Sequence, residues 1–180
     1  TKKTIKLIKP KKTAKKRKVV VAVSGGFDPV HVGHVRMFNE AKALGDKLVV
    51  ILNNDHWLRK KKGSEFMPAH ERKEILEALA AVDEVLVTSH PENPTDMSIC
   101  AELERIRPHI FAKGGDRDLA DSKKTTSSLN PEADLCKRLG IKLIFNVGYG
   151  GKVQSSSWLI AKAKSEVRNP KLETNSKLTS

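Results

Sequence analysis

Short apolar runs alternate with helix-like segments along most of this chain. The runs are rich in β-branched and aliphatic residues, and each has the length of a strand that is buried on both faces. They predict strands at residues 19–24, 47–52, 84–87, 109–112 and 141–145. Alternation of this kind favours a parallel sheet that is covered by helices on both sides. We therefore expect an α/β fold of three layers with a five-stranded, mainly parallel sheet.

The segments between these runs predict five helices and two long polar loops. Apolar spacing, Pro near helix starts and Gly at helix ends predict helices at 32–44, 70–81, 96–105, 131–140 and 155–164. Residues 53–67 and 114–130 are predicted as polar loops. In an open parallel sheet the ligand binds outside the carboxyl ends of the strands. That rim comprises residues 25–34, 53–67, 113–117 and 148–157.

The net charge of +13 is concentrated at one end of the chain. Residues 1–18 contain ten of the 34 Lys and Arg residues and no acid, so the rest of the chain carries only +3. Because its charges repel and it has little to bury, we expect 1–18 to be a disordered basic tail. The folded domain is predicted at 19–165, and 166–180 as a flexible polar tail.

The basic tail leaves several roles open. A solvated extension is the default, and residues 10–19 (PKKTAKKRKV) also resemble a nuclear-localisation patch. Weak contact with nucleic acid or anionic lipid is a further alternative. The tail has no amphipathic pattern, so we expect no membrane insertion.

Composition excludes several classes of protein. No run of about 18 apolar residues is present, which excludes a transmembrane helix, and the lysine-rich start lacks the apolar segment of a secretory signal. Cys100 and Cys136 are too few for a disulfide framework or a four-cysteine zinc site. We expect a soluble protein of a reducing compartment, hence cytoplasmic, or nuclear if the tail is a localisation signal.

The first rim loop has the features of a phosphate site. Gly25 and Gly26 follow a strand and let the backbone approach an anion, and the next helix begins with unpaired N–H groups. His31 and His34 lie three residues apart and add two donors on one face of that helix. The ordinary dinucleotide and P-loop motifs are both absent from the sequence.

The loop GGFDPVHVGH at residues 25–34 resembles the signature of the cytidylyltransferase-like nucleotidyltransferases, with its H-x-G-H core. Further matches follow in the family's order. They are the basic run 60–63, Glu71-Arg72, the segment 81–85 (AVDEV) and the serines 155–157. The resemblance spans residues 19–164. It implies a Rossmann-like fold, a homodimer, and an enzyme that joins a nucleoside triphosphate to a phosphorylated alcohol or sugar with release of pyrophosphate.

One subgroup matches best. Residues 113–116 (KGGD) resemble those of heptose-1-phosphate adenylyltransferases. Cytidylyltransferases usually carry Arg where this chain has Ala80, and another Arg near the place of Tyr149. The resemblance therefore favours transfer of AMP from ATP to a sugar phosphate such as heptose 1-phosphate.

Three alternatives remain at this stage. The first is a cytidylyltransferase that uses CTP with glycerol 3-phosphate or a phosphorylated amino alcohol. The second is an archaeal-type FAD synthetase with FMN as acceptor, although the C-terminal cysteines usual in that group are lacking. The third is a nucleic-acid-binding protein that works through its tail on a degenerate transferase fold.

The resemblance also assigns the site. The catalytic residues would be His31, His34 and Lys62. Those expected to bind nucleotide are Gly25, Gly26, Phe27, Asp28, Lys60, Arg72, Lys113, Gly115, Asp116, Ser155, Ser156 and Ser157. Mg²⁺ is the implied cofactor, held mainly by nucleotide phosphates rather than by protein ligands.

The reaction requires mainly positioning and positive charge, because the acceptor phosphate and the nucleoside triphosphate are both anions and must be brought together. The histidines would donate hydrogen bonds to the α- and β-phosphates, and Lys60 and Lys62 would bind phosphates from a mobile loop. The three serines would hold the β- and γ-phosphates, unless they are only a helix cap. Asp116 would face sugar hydroxyls. Arg72 would either contact phosphate or hold the loop.

Overall fold

The computed structural model describes residues 17–114, 129–150 and 154–168. Its centre is one five-stranded sheet in the order β3-β2-β1-β4-β5, and all four strand pairs are parallel. The strands are β1 Val20–Gly25, β2 Lys47–Leu52, β3 Glu84–Val87, β4 Ile110–Gly114 and β5 Lys142–Val147. The predicted α/β fold is thus confirmed, and the sheet is parallel throughout.

Six helices connect or follow the strands. They are α1 Val32–Ala43, α2 Asp55–Lys62, α3 Ala69–Glu77, α4 Cys100–Ile106, α5 Leu129–Leu139 and α6 Ser156–Arg168. Helix α6 continues three residues past the predicted domain boundary at 165. The basic tail up to residue 16, residues 115–128, which include Gly115 and Asp116, and the C-terminal segment from 169 lie outside the described residues.

The prediction of an unbroken loop over residues 53–67 was wrong, because α2 forms within it. The Asn54 side chain caps this helix by accepting a hydrogen bond from the Trp57 N–H at 3.0 Å. Gly63 ends it in the left-handed conformation, with φ of 88°. Leu58 is its only buried side chain, so the segment has no apolar periodicity for a sequence analysis to detect.

The core lies on both faces of the sheet. One face carries α1 and α3, where Phe38 and Leu76 pack against β1 and β2. The other carries α4 and α5, where Leu103 and Leu135 pack against Phe111. Since Phe38 is almost fully buried, its replacement by Ala would cost about 3–5 kcal/mol.

The register between β1 and β2 determines where the loops of the rim leave the sheet. Gly25 pairs with Leu52 at the carboxyl ends of β1 and β2, and the Asn53 N–H continues the ladder to the Gly25 carbonyl at 2.9 Å. The loops after β1 and β2 therefore leave the sheet side by side. Among the described residues no helix has the length and apolar character needed to cross a membrane.

Candidate functional site

The loop between β1 and α1 is tightly packed. A Cβ on Gly25 would lie 2.9 Å from the Phe27 ring, and one on Gly26 would lie 2.8 Å from Leu58 Cδ2. Phe27 is buried and takes a positive φ of 49°. The two glycines are therefore also required by packing, because a side chain at either position would collide with Phe27 or Leu58.

His31 and His34 form a stacked pair at the start of α1. Their ring centroids are 3.6 Å apart and the rings are 19° from parallel. The His31 backbone N–H donates to His34 Nδ1 at 3.3 Å, so a neutral His34 carries its proton on Nε2. The Phe27 ring meets His34 edge to face at 4.9 Å. This arrangement fixes the ring and the tautomer of His34.

Burial and neighbouring charge keep both imidazoles neutral near pH 7. Burial lowers the pKa of His34 to about 3, and His31 and Lys62 act in the same direction. Burial also lowers the pKa of His31, against a hydrogen bond of its backbone, with a further contribution from Lys62. His31 Nδ1 is buried without a hydrogen-bond partner among the described residues. An orphaned polar atom of this kind is expected where a ligand or water binds.

Lys62 lies on the side of α2 that faces the histidines. It follows the buried Leu58 by four residues, which places both on one face of the helix. Burial is the main cause of the lowered pKa of His31 and His34, and the positive charge of Lys62 lowers both values further. The structure therefore brings the three predicted catalytic residues together.

Lys60 does not join this group. Two helical residues are about 200° apart, so Lys60 lies on the opposite side of α2 from Lys62. Its ammonium donates to Asn93 Oδ1 at 2.7 Å. It lines a cavity of about 320 Å³ together with His56, Arg59, Glu92 and Asn93. The expectation of a mobile lysine loop was wrong, because α2 orders this run and divides it.

Asp28 and Arg72, both predicted to bind nucleotide, are buried. Asp28 is 1% exposed, and its carboxylate accepts the N–H groups of Phe66 at 2.6 Å and Met67 at 2.8 Å. Arg72 is fully buried and forms an ion pair with Asp55 at 2.6 Å. For Arg72 these contacts support the second expectation, that it holds the loop.

Lys113 lies at the carboxyl end of β4. Its ammonium is 2.8 Å from a carboxylate oxygen of Glu132 and donates to Ser24 Oγ at 3.1 Å. Glu132 also accepts the Ile99 N–H at 3.3 Å. Glu132 was not predicted from the sequence, although an acidic residue in the first turn of a helix after a rim loop is a usable signal.

The serine segment starts α6 beside the first loop. Ser156 Oγ donates to the Pro29 carbonyl at 2.9 Å, which docks the helix start next to the turn that leads to His31. The Ser155 carbonyl accepts the Leu159 N–H at 3.1 Å, and Ser157 is exposed. The N-termini of α1 and α6 thus meet at the rim.

The described side chains contain no group of three His, Cys, Asp or Glu residues placed to hold a metal ion. Asp28 and Asp55, which lie in the first and second rim segments, are already engaged, Asp28 by backbone N–H groups and Asp55 by Arg72.

Comparison with known proteins identifies the family of this chain. A family model described as cytidylyltransferase-like matches residues 22–142. The FAD synthase of Pyrococcus horikoshii is 35% identical over 124 residues, which cover 67% of this chain and 80% of that protein.

Two further relatives extend the similarity. The bifunctional protein HldE of Streptomyces coelicolor is 37% identical over 151 residues, which cover 83% of this chain but only 29% of that longer protein. A lipopolysaccharide core biosynthesis protein from Thermoplasma volcanium shares the fold, with a TM-score of 0.58 and 22% identity over 74% of this chain and 99% of that one. The chain belongs to the cytidylyltransferase-like family and is a nucleotidyltransferase.

Proposed function

We propose that this enzyme transfers AMP from ATP to the phosphate of a sugar phosphate such as heptose 1-phosphate. The observation that carries the proposal is the neutral, stacked pair of His31 and His34, which begins α1 and faces Lys62. A neutral imidazole still carries one N–H, so each ring can donate a hydrogen bond to a phosphate oxygen.

The reaction follows from the charges. An oxygen of the acceptor phosphate attacks the α-phosphorus of the nucleotide, a new P–O bond forms, and the bond between the α-phosphorus and the bridging oxygen breaks as pyrophosphate leaves. No general base is needed, because the attacking phosphate is already ionised near pH 7. His34 Nε2–H and the His31 ring donate to the phosphates, and Lys62 supplies a positive charge on their far side.

Two helix N-termini contribute as well. The first N–H groups of α1 and α6 carry partial positive charge and converge at the rim, where Ser156 is bonded to the Pro29 carbonyl. We propose that the β- and γ-phosphates lie there, with Ser155 and Ser157 as further donors. Lys113, Gly115 and Asp116 are proposed to complete the nucleotide side, the last two from outside the described residues.

ATP is preferred to CTP for two reasons. Ala80 occupies the position of an arginine that cytidylyltransferases usually carry. The FAD synthase relatives, in addition, are named for a product that contains AMP. Mg²⁺, when bound, supplies charge neutralisation at the phosphates, and we propose that phosphate oxygens hold it. The homodimer stays a prediction.

FMN is the second candidate acceptor. The similarity to archaeal FAD synthases covers most of their length, whereas the similarity to HldE covers less than a third of that protein. Both acceptors present a phosphate monoester to the same α-phosphorus, so the His–Lys arrangement serves either. Membership of an enzyme family supports these two readings over the nucleic-acid-binding alternative.

The test is a matrix of donors and acceptors. The full chain is incubated with Mg²⁺ and inorganic pyrophosphatase, with ATP or CTP against heptose 1-phosphate, FMN or glycerol 3-phosphate, and phosphate release is measured. We expect turnover with ATP and heptose 1-phosphate, abolished in His31→Ala/His34→Ala. Faster turnover with FMN than with heptose 1-phosphate would identify FMN as the acceptor, and faster turnover with CTP than with ATP would identify CTP as the donor. An unchanged rate in the double variant would show that His31 and His34 are not catalytic.

A further inference from the structure

Two buried charged side chains, Asp28 and Arg72, belong to or contact the loop that leads to His31. Asp28 is 1% exposed and Arg72 is fully buried, so neither offers surface to a ligand. Burying a charge is costly unless it is well paired and hydrogen-bonded. Most partners of these two side chains are backbone groups from separate parts of the chain, which indicates that the charges hold those parts together.

Both side chains hold the same residue, Met67. Its N–H donates to Asp28 Oδ1 at 2.8 Å, and its carbonyl accepts from Arg72 Nε at 2.9 Å. The other oxygen of Asp28 accepts the Phe66 N–H at 2.6 Å. The end of the connection between α2 and α3 is therefore fixed to the loop that carries His31.

Arg72 also reaches the start of α2. One terminal nitrogen donates to the carbonyls of Gly26 at 2.6 Å and Asn53 at 2.8 Å, and the other pairs with Asp55, the first residue of α2. A single guanidinium thus joins the His31 loop, the end of β2 and the first turn of α2. Lysine could not replace it, because only the planar fork reaches these directions at once.

Lys62 lies between the two anchored points. Asp55 precedes it by seven residues and Phe66 follows it by four, while Lys62 itself is exposed at the last turn of α2. Its position relative to the histidines is therefore set by its backbone, and its backbone is set by Asp28 and Arg72. We propose that Asp28 and Arg72 are positioning residues that hold Lys62 against the His31–His34 pair, and that neither binds nucleotide.

The proposal predicts that loss of either anchor changes the pKa of His31 by moving Lys62. If the anchors loosen, the ammonium moves away from the imidazoles, and the depression of the His31 pKa that it causes should weaken. The kinetic consequence, which rests on the proposed function, is a lower kcat with little change in the KM for ATP. Displacement of a reacting group by about 1 Å can cost about 10²-fold in rate.

The experiment is a double-mutant cycle read by NMR titration of the His31 ring. The variants are Asp28→Asn, which keeps the shape and one acceptor oxygen, Lys62→Met, and both together. The control is Asp83→Asn, because Asp83 likewise accepts a backbone N–H, that of Leu48 at 2.6 Å, but lies at the start of β3, away from the rim. Arg72→Lys provides a second route to the same loss of anchoring.

We expect Asp28→Asn and Lys62→Met each to raise the His31 pKa, with no further rise when they are combined, and Asp83→Asn to leave it unchanged. Additive shifts, or an unchanged pKa in both Asp28→Asn and Arg72→Lys, would overturn the proposal. The titration needs no turnover. An enzyme inactive on every substrate pair would refute the proposed function, while the cycle would still decide the role of Asp28.

Discussion

Lys60 and Lys62, two residues apart in the sequence, belong to different surroundings. Lys62 lies on the same side of α2 as Leu58 and lowers the pKa of both histidines. Lys60 lies on the opposite side of the helix and donates a hydrogen bond to Asn93. A run of three lysines that looks uniform in the sequence is therefore divided by one helix.

This division predicts unequal effects of the same substitution. Lys62→Ala should lower kcat by about 10²–10³-fold, because it removes a positive charge that we propose acts on the transferring phosphates. Lys60→Ala should change kcat by less than about tenfold. Steady-state kinetics of the two variants, with ATP and the preferred acceptor, checks this. Equal losses in both would show that α2 does not separate the lysines in the working enzyme.

The buried His34 predicts how stability depends on pH. Its pKa is about 3 in the folded protein and about 6.5 when unfolded, so below pH 6.5 the unfolded chain binds the extra proton. His34 therefore lowers the free energy of unfolding as the pH falls from 6.5 towards 3, by up to about 1.4 kcal/mol per pH unit. Urea denaturation at pH 7 and at pH 5 gives the free energy of unfolding at each pH. The difference between the two values should be smaller for His34→Gln than for the unsubstituted chain.

The pair of Lys113 and Glu132 predicts a strong destabilisation when one partner is lost. Both side chains are largely buried and their charged atoms are 2.8 Å apart. Glu132→Ala should lower the free energy of unfolding by about 3–5 kcal/mol, because it removes a carboxylate that pairs with a largely buried ammonium. Replacing both residues by apolar ones of similar size should restore part of that loss. Glu104→Ala, at the exposed pair with Arg138, serves as the control and should change stability by less than about 1 kcal/mol.

The close approach of Gly26 and Leu58 predicts a compensating pair. Gly26→Ala places a Cβ 2.8 Å from Leu58 Cδ2, so the buried Leu58 side chain or the helix that carries it must shift, at a cost of about 1–3 kcal/mol. Combining it with Leu58→Val shortens the clashing side chain and should recover activity relative to Gly26→Ala alone. A double variant no more active than the single one would mean that the contact does not couple the loop to α2.

Most of the fold, and the close approach of His31 and His34, were predictable from the sequence. The strands are buried on both faces, so they appear as continuous apolar runs whatever packs on them. The approach of His31 and His34 depends on local geometry alone, because an N-cap residue and the third residue of the helix lie side by side and no distant contact is needed for that.

Only the tertiary structure decided what the remaining charged residues do. Asp28, Arg72 and Glu132 are assigned by their burial and by partners 33 to 46 residues away, such as Gly26 for Arg72, and no local pattern encodes such partners. Helix α2 was not predicted because its one buried side chain, Leu58, lies against Gly26 only after the strands have brought two loops together. Local chemistry determined which groups are available at the rim, and long-range packing determined which of them face a ligand and which hold the others in place.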